Sequence, residues 1–88
     1  MSFTVIYEPE ALADLKKLSP ANRQRIVNKI NWLAEHFEQI TPQPLSNNLS
    51  GFFKLRVGDY RVVYEFSTTE TSITIDRVGH RNQIYDLM

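Results

Sequence analysis

The chain has no cysteine, only three glycines, and no apolar run approaching the ~20 residues that a membrane-spanning helix needs. Without cysteine there is no disulfide framework and no thiolate chemistry, whether as nucleophile or as metal ligand. Two histidines, His36 and His80, are too few for a histidine-based zinc site unless carboxylates complete it, so neither a metal nor a small-molecule cofactor is expected. An excess of either charge is missing as well. Ten Lys plus Arg offset ten Asp plus Glu, and each half of the chain balances on its own. That balance excludes a broad electrostatic pull toward nucleic acid, so any basic site must be local. The opening Ser2-Phe3-Thr4-Val5-Ile6-Tyr7 lacks the basic lead and long apolar run of a signal peptide. The expectation is one domain over residues 1–88, cytoplasmic, with no membrane association.

What is present is ordered in the manner of a small α+β domain. Phe3 to Tyr7 is apolar and β-branched and reads as a strand; Glu8-Pro9-Glu10 then suits a helix N-terminus, with proline at the first helical position. That helix is expected to run to about Leu18, burying Ala11, Leu15 and Leu18 while Asp14, Lys16 and Lys17 point elsewhere. Ser19-Pro20 ends it and starts a second helix, whose stripe of Ile26, Ile30, Leu33 and Phe37 extends to about Gln39. Thr41-Pro42-Gln43-Pro44 and Ser46-Asn47-Asn48 read as loop.

Two β-branched and aromatic runs then flank Gly58-Asp59, a hairpin turn signal, so Val57 should pair with Tyr60, Arg56 with Arg61, Leu55 with Val62 and Lys54 with Val63. A third strand, Ser72 to Val78, should place Phe66 against Ile73, Tyr64 against Ile75, Val63 against Asp76 and Arg61 against Val78, with Gly79 ending it. The predicted architecture is an N-terminal strand, a two-helix hairpin and an antiparallel three-strand meander, one sheet face packed on the helices and the other open. His80 and Arg81 are then placed just past the end of the third strand and near Arg61, with Gln83, Ile84 and Tyr85 on a short tail.

On the open face this register gathers Lys54, Arg56 and Arg61, with Asp76 close by to pair with an arginine. Like charges opposed across a ladder are destabilising, so the arrangement points to an anion, with phosphate the obvious candidate. A solvated outer strand face is the ordinary alternative for Lys54 and Arg56, and a core-edge aromatic is the ordinary alternative for Tyr85. Trp32 lies off the main helical stripe and is expected against the first helix or the loop.

The helix Ala11-Leu12-Ala13-Asp14-Leu15-Lys16-Lys17-Leu18, the stretch Leu49-Ser50-Gly51, the hairpin Lys54 to Tyr64 and the ending Val78-Gly79-His80-Arg81 with Ile84-Tyr85 together resemble the RelE/ParE superfamily of toxins. The resemblance implies the toxin of a toxin–antitoxin module, with a cognate antitoxin as partner and DNA contacted only indirectly through it. The RelE-like branch implies an endoribonuclease that cuts mRNA in the ribosomal A site without metal, by attack of a ribose 2′-hydroxyl on the adjacent phosphate. By matching positions, Lys54, Arg61, Arg81 and Tyr85 would be catalytic, and Arg56, His80 and Phe52 would contact RNA; the general base would be Lys54, whose like-charged neighbours favour its neutral form, or Tyr85, which would otherwise stack on a base. Phe52 stands where such toxins commonly offer another lysine. The alternatives are a ParE-like gyrase poison without nuclease chemistry, or an inactive relic that only binds an antitoxin.

Overall fold

The computed structural model describes residues 2–88. Strand β1 (Thr4–Tyr7) leads into helix α1 (Pro9–Lys16), and helix α2 (Pro20–His36) is prolonged by one 3-10 turn over Phe37–Gln39. Strand β2 (Gln43–Pro44) precedes β3 (Phe53–Val57), β4 (Tyr60–Ser67) and β5 (Ser72–His80), and a 3-10 turn over Ile84–Leu87 follows. The five strands form one mixed sheet in the order β1-β5-β4-β3-β2. Both helices lie on one face of it, giving the α+β class that the sequence pattern indicates.

The helical hairpin follows from its caps. The Ser19 hydroxyl accepts a hydrogen bond from the Asn22 backbone N–H at 3.3 Å, and Pro20 occupies the first helical turn. Because proline disfavours a helical residue before it, α1 stops at Lys16 rather than at Leu18. Arg23 closes the joint by donating from Nε to the Leu15 carbonyl at 3.0 Å and from Nη2 to the Leu18 carbonyl at 2.9 Å. Ile26, Ile30, Leu33 and Phe37 are buried as the stripe requires, against Val62, Tyr64, Ile73, Ile75 and Val78 of the sheet. Asp14, expected to point outward, is instead 6 % exposed.

The hairpin register is the one read from the sequence: Val57 faces Tyr60, Arg56 faces Arg61, Leu55 faces Val62 and Lys54 faces Val63. Gly58 has φ +59° and Asp59 does not share a positive φ, as a type II′ turn requires. The next ladder departs from expectation halfway along. Phe66–Ile73 and Tyr64–Ile75 hold, but Val63 pairs with Arg77 and Arg61 with Gly79, because a bulge inserts Asp76. An uninterrupted ladder would have opposed Val62 and Arg77 beneath the helices. The bulge places Val78, 2 % exposed, opposite Val62 in the core instead. Gly79 does not break the strand, which continues to His80.

Two further corrections concern the periphery. Gln43–Pro44, read as loop, adds an antiparallel edge strand to β3, with Gln43 opposite Lys54 and Pro44 opposite Phe53. The sheet's second face is not open throughout either. The Ile84–Leu87 turn crosses it, with Ile84 fully buried, and a Cβ built on Gly79 would lie 3.2 Å from Ile84 Cδ1 and 3.3 Å from Leu87 Cδ1. Glycine at position 79 therefore admits the turn to the strand, and Val63 on that face is fully buried too.

Candidate functional site: a cationic face beside a loop cavity

Arg56 and Arg61 sit opposite each other in the ladder, and Lys54 lies on the same face ~7 Å along the strand. The Arg61 guanidinium is fixed by its own turn: Nη1 donates to the Gly58 carbonyl at 2.9 Å and the Tyr60 carbonyl at 2.8 Å. That spends the Nη1 hydrogens and leaves those of Nε and Nη2 for an anion. Arg81 is anchored to the same turn. Its backbone N–H donates to the Asp59 carbonyl at 2.8 Å, and its Nε lies 3.9 Å from Asp59 Oδ1. The Arg61 side chain on β4 and the Arg81 backbone just past the end of β5 are thus both tied to Gly58–Tyr60, with Arg56 exposed beside them.

Lys54 and Tyr85 form the other half of the site. They line one cavity of about 330 Å³ together with the loop Pro44, Leu45, Ser46, Asn48 and Leu49. The C-terminal turn carries Tyr85 over the sheet to reach it, so the two residues share this cavity because Ile84 is docked.

The remaining sequence candidates lie elsewhere. His80 is opposite Tyr60 on the helix-packed face, with ring centroids 5.8 Å apart in an edge-on pair, because β5 continues past Gly79. Phe52 lines a separate hollow with Glu8, Glu10, Asp76, Leu87 and Met88. Asp76 pairs with no arginine among the described residues. It sits against Glu65 of β4, and its Oδ2 is buried without a hydrogen-bond partner. Burial first, then Glu65 and the charges of Glu8 and Glu10, push its carboxyl up to about 7. Arg77, next to it, is engaged with Asp14: Nε donates to Oδ2 at 2.8 Å and Nη2 to Oδ1 at 3.0 Å, and Nη1 reaches the Leu87 carbonyl at 3.0 Å.

The family model described as the ParE toxin of the type II toxin–antitoxin system parDE matches residues 5–85. Toxin RelG of Mycobacterium tuberculosis is 33 % identical over 85 residues, spanning 97 % of this chain and 98 % of that protein. The chain belongs to the RelE/ParE superfamily of toxins. The toxin–antitoxin complex RelBE2 from the same organism superposes at TM-score 0.83 with 32 % identity, over 92 % of this chain and 93 % of the matched one. An archaeal RelE–RelB complex from Pyrococcus horikoshii, at TM-score 0.74 and 20 % identity over 94 % and 99 % of the two chains, shares the fold.

Within this RelE/ParE toxin, the sheet face sorts its charge along the strands. Cations crowd the Gly58–Asp59 end, while Glu65 and Asp76 occupy the part of the face beyond Val63. What the cationic end can do chemically is hold a phosphodiester. A guanidinium anchored on backbone carbonyls, as that of Arg61 is, needs no reorganisation when negative charge develops, and Lys54 and Tyr85 line a cavity on the same side of the sheet. Sequence reasoning missed the loop Pro44–Leu49 as a wall of this region; its only signal was the placing of polar Ser46 and Asn48 between prolines and Leu49. It also missed the Asp14–Arg77 pair, which joins residues 63 positions apart.

Proposed function

We propose that residues 1–88 act as one toxin domain that cleaves mRNA in the ribosomal A site, in the cytoplasm, and is neutralised by a cognate antitoxin. The observation that carries this reading is the shared cavity of Lys54 and Tyr85 on the face that carries Arg61, whose guanidinium is fixed on two backbone carbonyls, with the Arg81 backbone held by the same turn. In the reaction, the neutral amine form of Lys54 takes the proton of a ribose 2′-hydroxyl. The 2′-oxygen bonds to the adjacent phosphorus, and the bond to the 5′-oxygen breaks, leaving a 2′,3′-cyclic phosphate and a 5′-alkoxide that takes a proton from solvent water to become a 5′-hydroxyl. Arg61 holds the equatorial oxygens of the phosphorane through its remaining donors, and Arg81 stabilises charge on the leaving oxygen. Arg56 adds to the potential that draws the backbone in. Tyr85 stacks on a base next to the scissile bond. The neutral overall charge fits a protein that relies on ribosomal placement rather than on affinity for free RNA.

An antitoxin partner is supported by the complexes in which the similar toxins from Mycobacterium tuberculosis and Pyrococcus horikoshii are found. The ParE description of the matching family favours a second reading, in which the same face binds DNA gyrase and no bond is cut. Induced expression with primer extension on cellular mRNA, run beside a gyrase supercoiling assay, separates the two. Cleavage at defined codon positions with intact supercoiling is expected, whereas inhibited supercoiling with intact mRNA would establish the second reading.

A further inference from the structure

The cavity that Lys54 and Tyr85 share has a second wall, and the function of that wall is not accounted for by phosphate chemistry. We infer that the loop Pro44–Leu49 forms a nucleobase pocket, in which Ser46 and Asn48 read the hydrogen-bonding edge of an unpaired base stacked on Tyr85. The identification of the ligand as RNA rests on the nuclease reading above.

The wall is preformed. The Pro44–Phe53 pairing of β2 and β3 closes the loop at its base, the Leu45 N–H donates to the Phe52 carbonyl at 2.9 Å, and the Phe52 N–H donates to the Leu49 carbonyl at 3.2 Å. Gly51, at φ +93°, supplies the backbone turn that lets the chain double back, which a residue with a Cβ adopts only under strain. Proline at 44 restricts the entry to the loop further. A loop held in this way presents its side chains without first having to be ordered.

Its chemistry matches a base more closely than a bare anion. Pro44 and Leu49 offer flat apolar surface, Tyr85 is 42 % exposed and offers a ring face, and Lys54 alone among the lining side chains is charged. The exposed Ser46 hydroxyl and Asn48 amide each present a donor and an acceptor, the combination that reads base edges. The volume of about 330 Å³ falls within the range of pockets that enclose small planar ligands. Lys54 lines this pocket and shares its strand face with Arg56 and Arg61, so a nucleotide can place its base in the loop while its phosphate stays with the cations.

The test uses the full chain in two measurements. Backbone amide shifts are recorded during titration with AMP, CMP, GMP and UMP, and with ribose 5-phosphate as the probe that lacks a base. Cleavage positions on ribosome-bound mRNA are mapped in parallel for wild type, Asn48→Ala and Ser46→Ala. The expected result is saturable shifts at Ser46, Asn48 and Leu49 that differ among the four nucleotides, are absent with ribose 5-phosphate, and weaken about 10-fold in Asn48→Ala. The ratio of cleavage at favoured over disfavoured bases should fall about 10-fold in the same variant. Equal loop shifts for ribose 5-phosphate and the nucleotides, or a cleavage map unchanged by both substitutions, would overturn the pocket. Base-dependent loop shifts in a protein that leaves mRNA intact would support the pocket and overturn the nuclease reading instead.

Discussion

Asp14 and Asp76 are two carboxylates with opposite electrostatics, and each makes a measurable difference. Burial pushes the Asp14 carboxyl up, but the hydrogen bonds from Arg77 and the Val78 N–H, with the Arg77 charge, outweigh it and hold it below its usual range. Its contribution to stability is therefore present above the ordinary carboxylate range and is lost as pH falls through its lowered value. Asp14→Ala leaves the Val78 N–H and the Arg77 guanidinium without their acceptor, a loss of about 3 kcal/mol by urea unfolding. Asp76 behaves in the reverse sense. With its carboxyl raised from 3.8 to about 7, the folded chain retains a proton that the unfolded chain gives up, so its contribution is complete below about pH 4 and is lost as pH rises through about 7. Glu65 of β4, with Glu8 and Glu10 at the start of α1, are the charges that face it. Asp76→Asn should accordingly gain stability relative to wild type as pH rises from 4 to 8, and thermal unfolding across that range measures the difference. A constant difference between the two proteins would show that Asp76 does not take up the proton.

Among the elements, the hairpin β3–β4 was legible in full because a two-residue turn beginning with glycine fixes the register, and alternation fixes the faces. The β4–β5 ladder was legible only as far as Ile75. Its signal was there, in an apolar spacing that lengthens from Ile73–Ile75 to Ile75–Val78, but a strict alternation does not anticipate a bulge. The two-residue β2 lies below what periodicity can detect, and the docking of Ile84–Leu87 depends on a side-chain fit to Gly79 across a tight reversal of the chain, which periodicity does not encode. That docking gives a prediction for the element. In Gly79→Ala the new methyl meets the ends of two flexible side chains, and the turn yields with a cost under about 1 kcal/mol. In Gly79→Val the added bulk lifts the turn, and amide exchange of Ile84, Tyr85 and Asp86 should quicken at least about 10-fold while β4 is unaffected. Equal protection in both variants would mean that the turn is held by Arg77 and not by its fit to the strand.

At the scale of the molecule, the sheet separates two jobs. One face, with Val62, Tyr64, Ile73, Ile75 and Val78, holds the helices; burial of the Tyr64 phenol there pushes its pKa up to about 12 and keeps it neutral. The other face carries the cations at the turn end, the acids beyond Val63 and the C-terminal turn across the middle. Most of the site was visible in the sequence because Lys54, Arg56 and Arg61 follow from one hairpin register. Ending the third strand at Gly79 already set Arg81 near Arg61, whereas Tyr85 was pointed to only by the resemblance to the RelE/ParE toxins. His80 and Phe52 were assigned from the same likeness, yet the strand continuing past Gly79 turns His80 toward Tyr60, and Phe52 lies near Asp76. Any contact of these two with RNA would therefore be made away from the arginines, and their substitution should affect cleavage less than that of Lys54 or Arg61. The central claim is that Arg61, Arg81 and the Lys54–Tyr85 cavity act on one phosphodiester. Its most direct test is the cleavage rate on ribosomes programmed with a defined mRNA, measured for wild type, Lys54→Ala, Arg61→Ala, Arg81→Ala and Tyr85→Ala after thermal unfolding has shown each to be folded. Losses of about 100-fold or more for Lys54→Ala and Arg61→Ala are predicted; wild-type rates in these folded variants would contradict it.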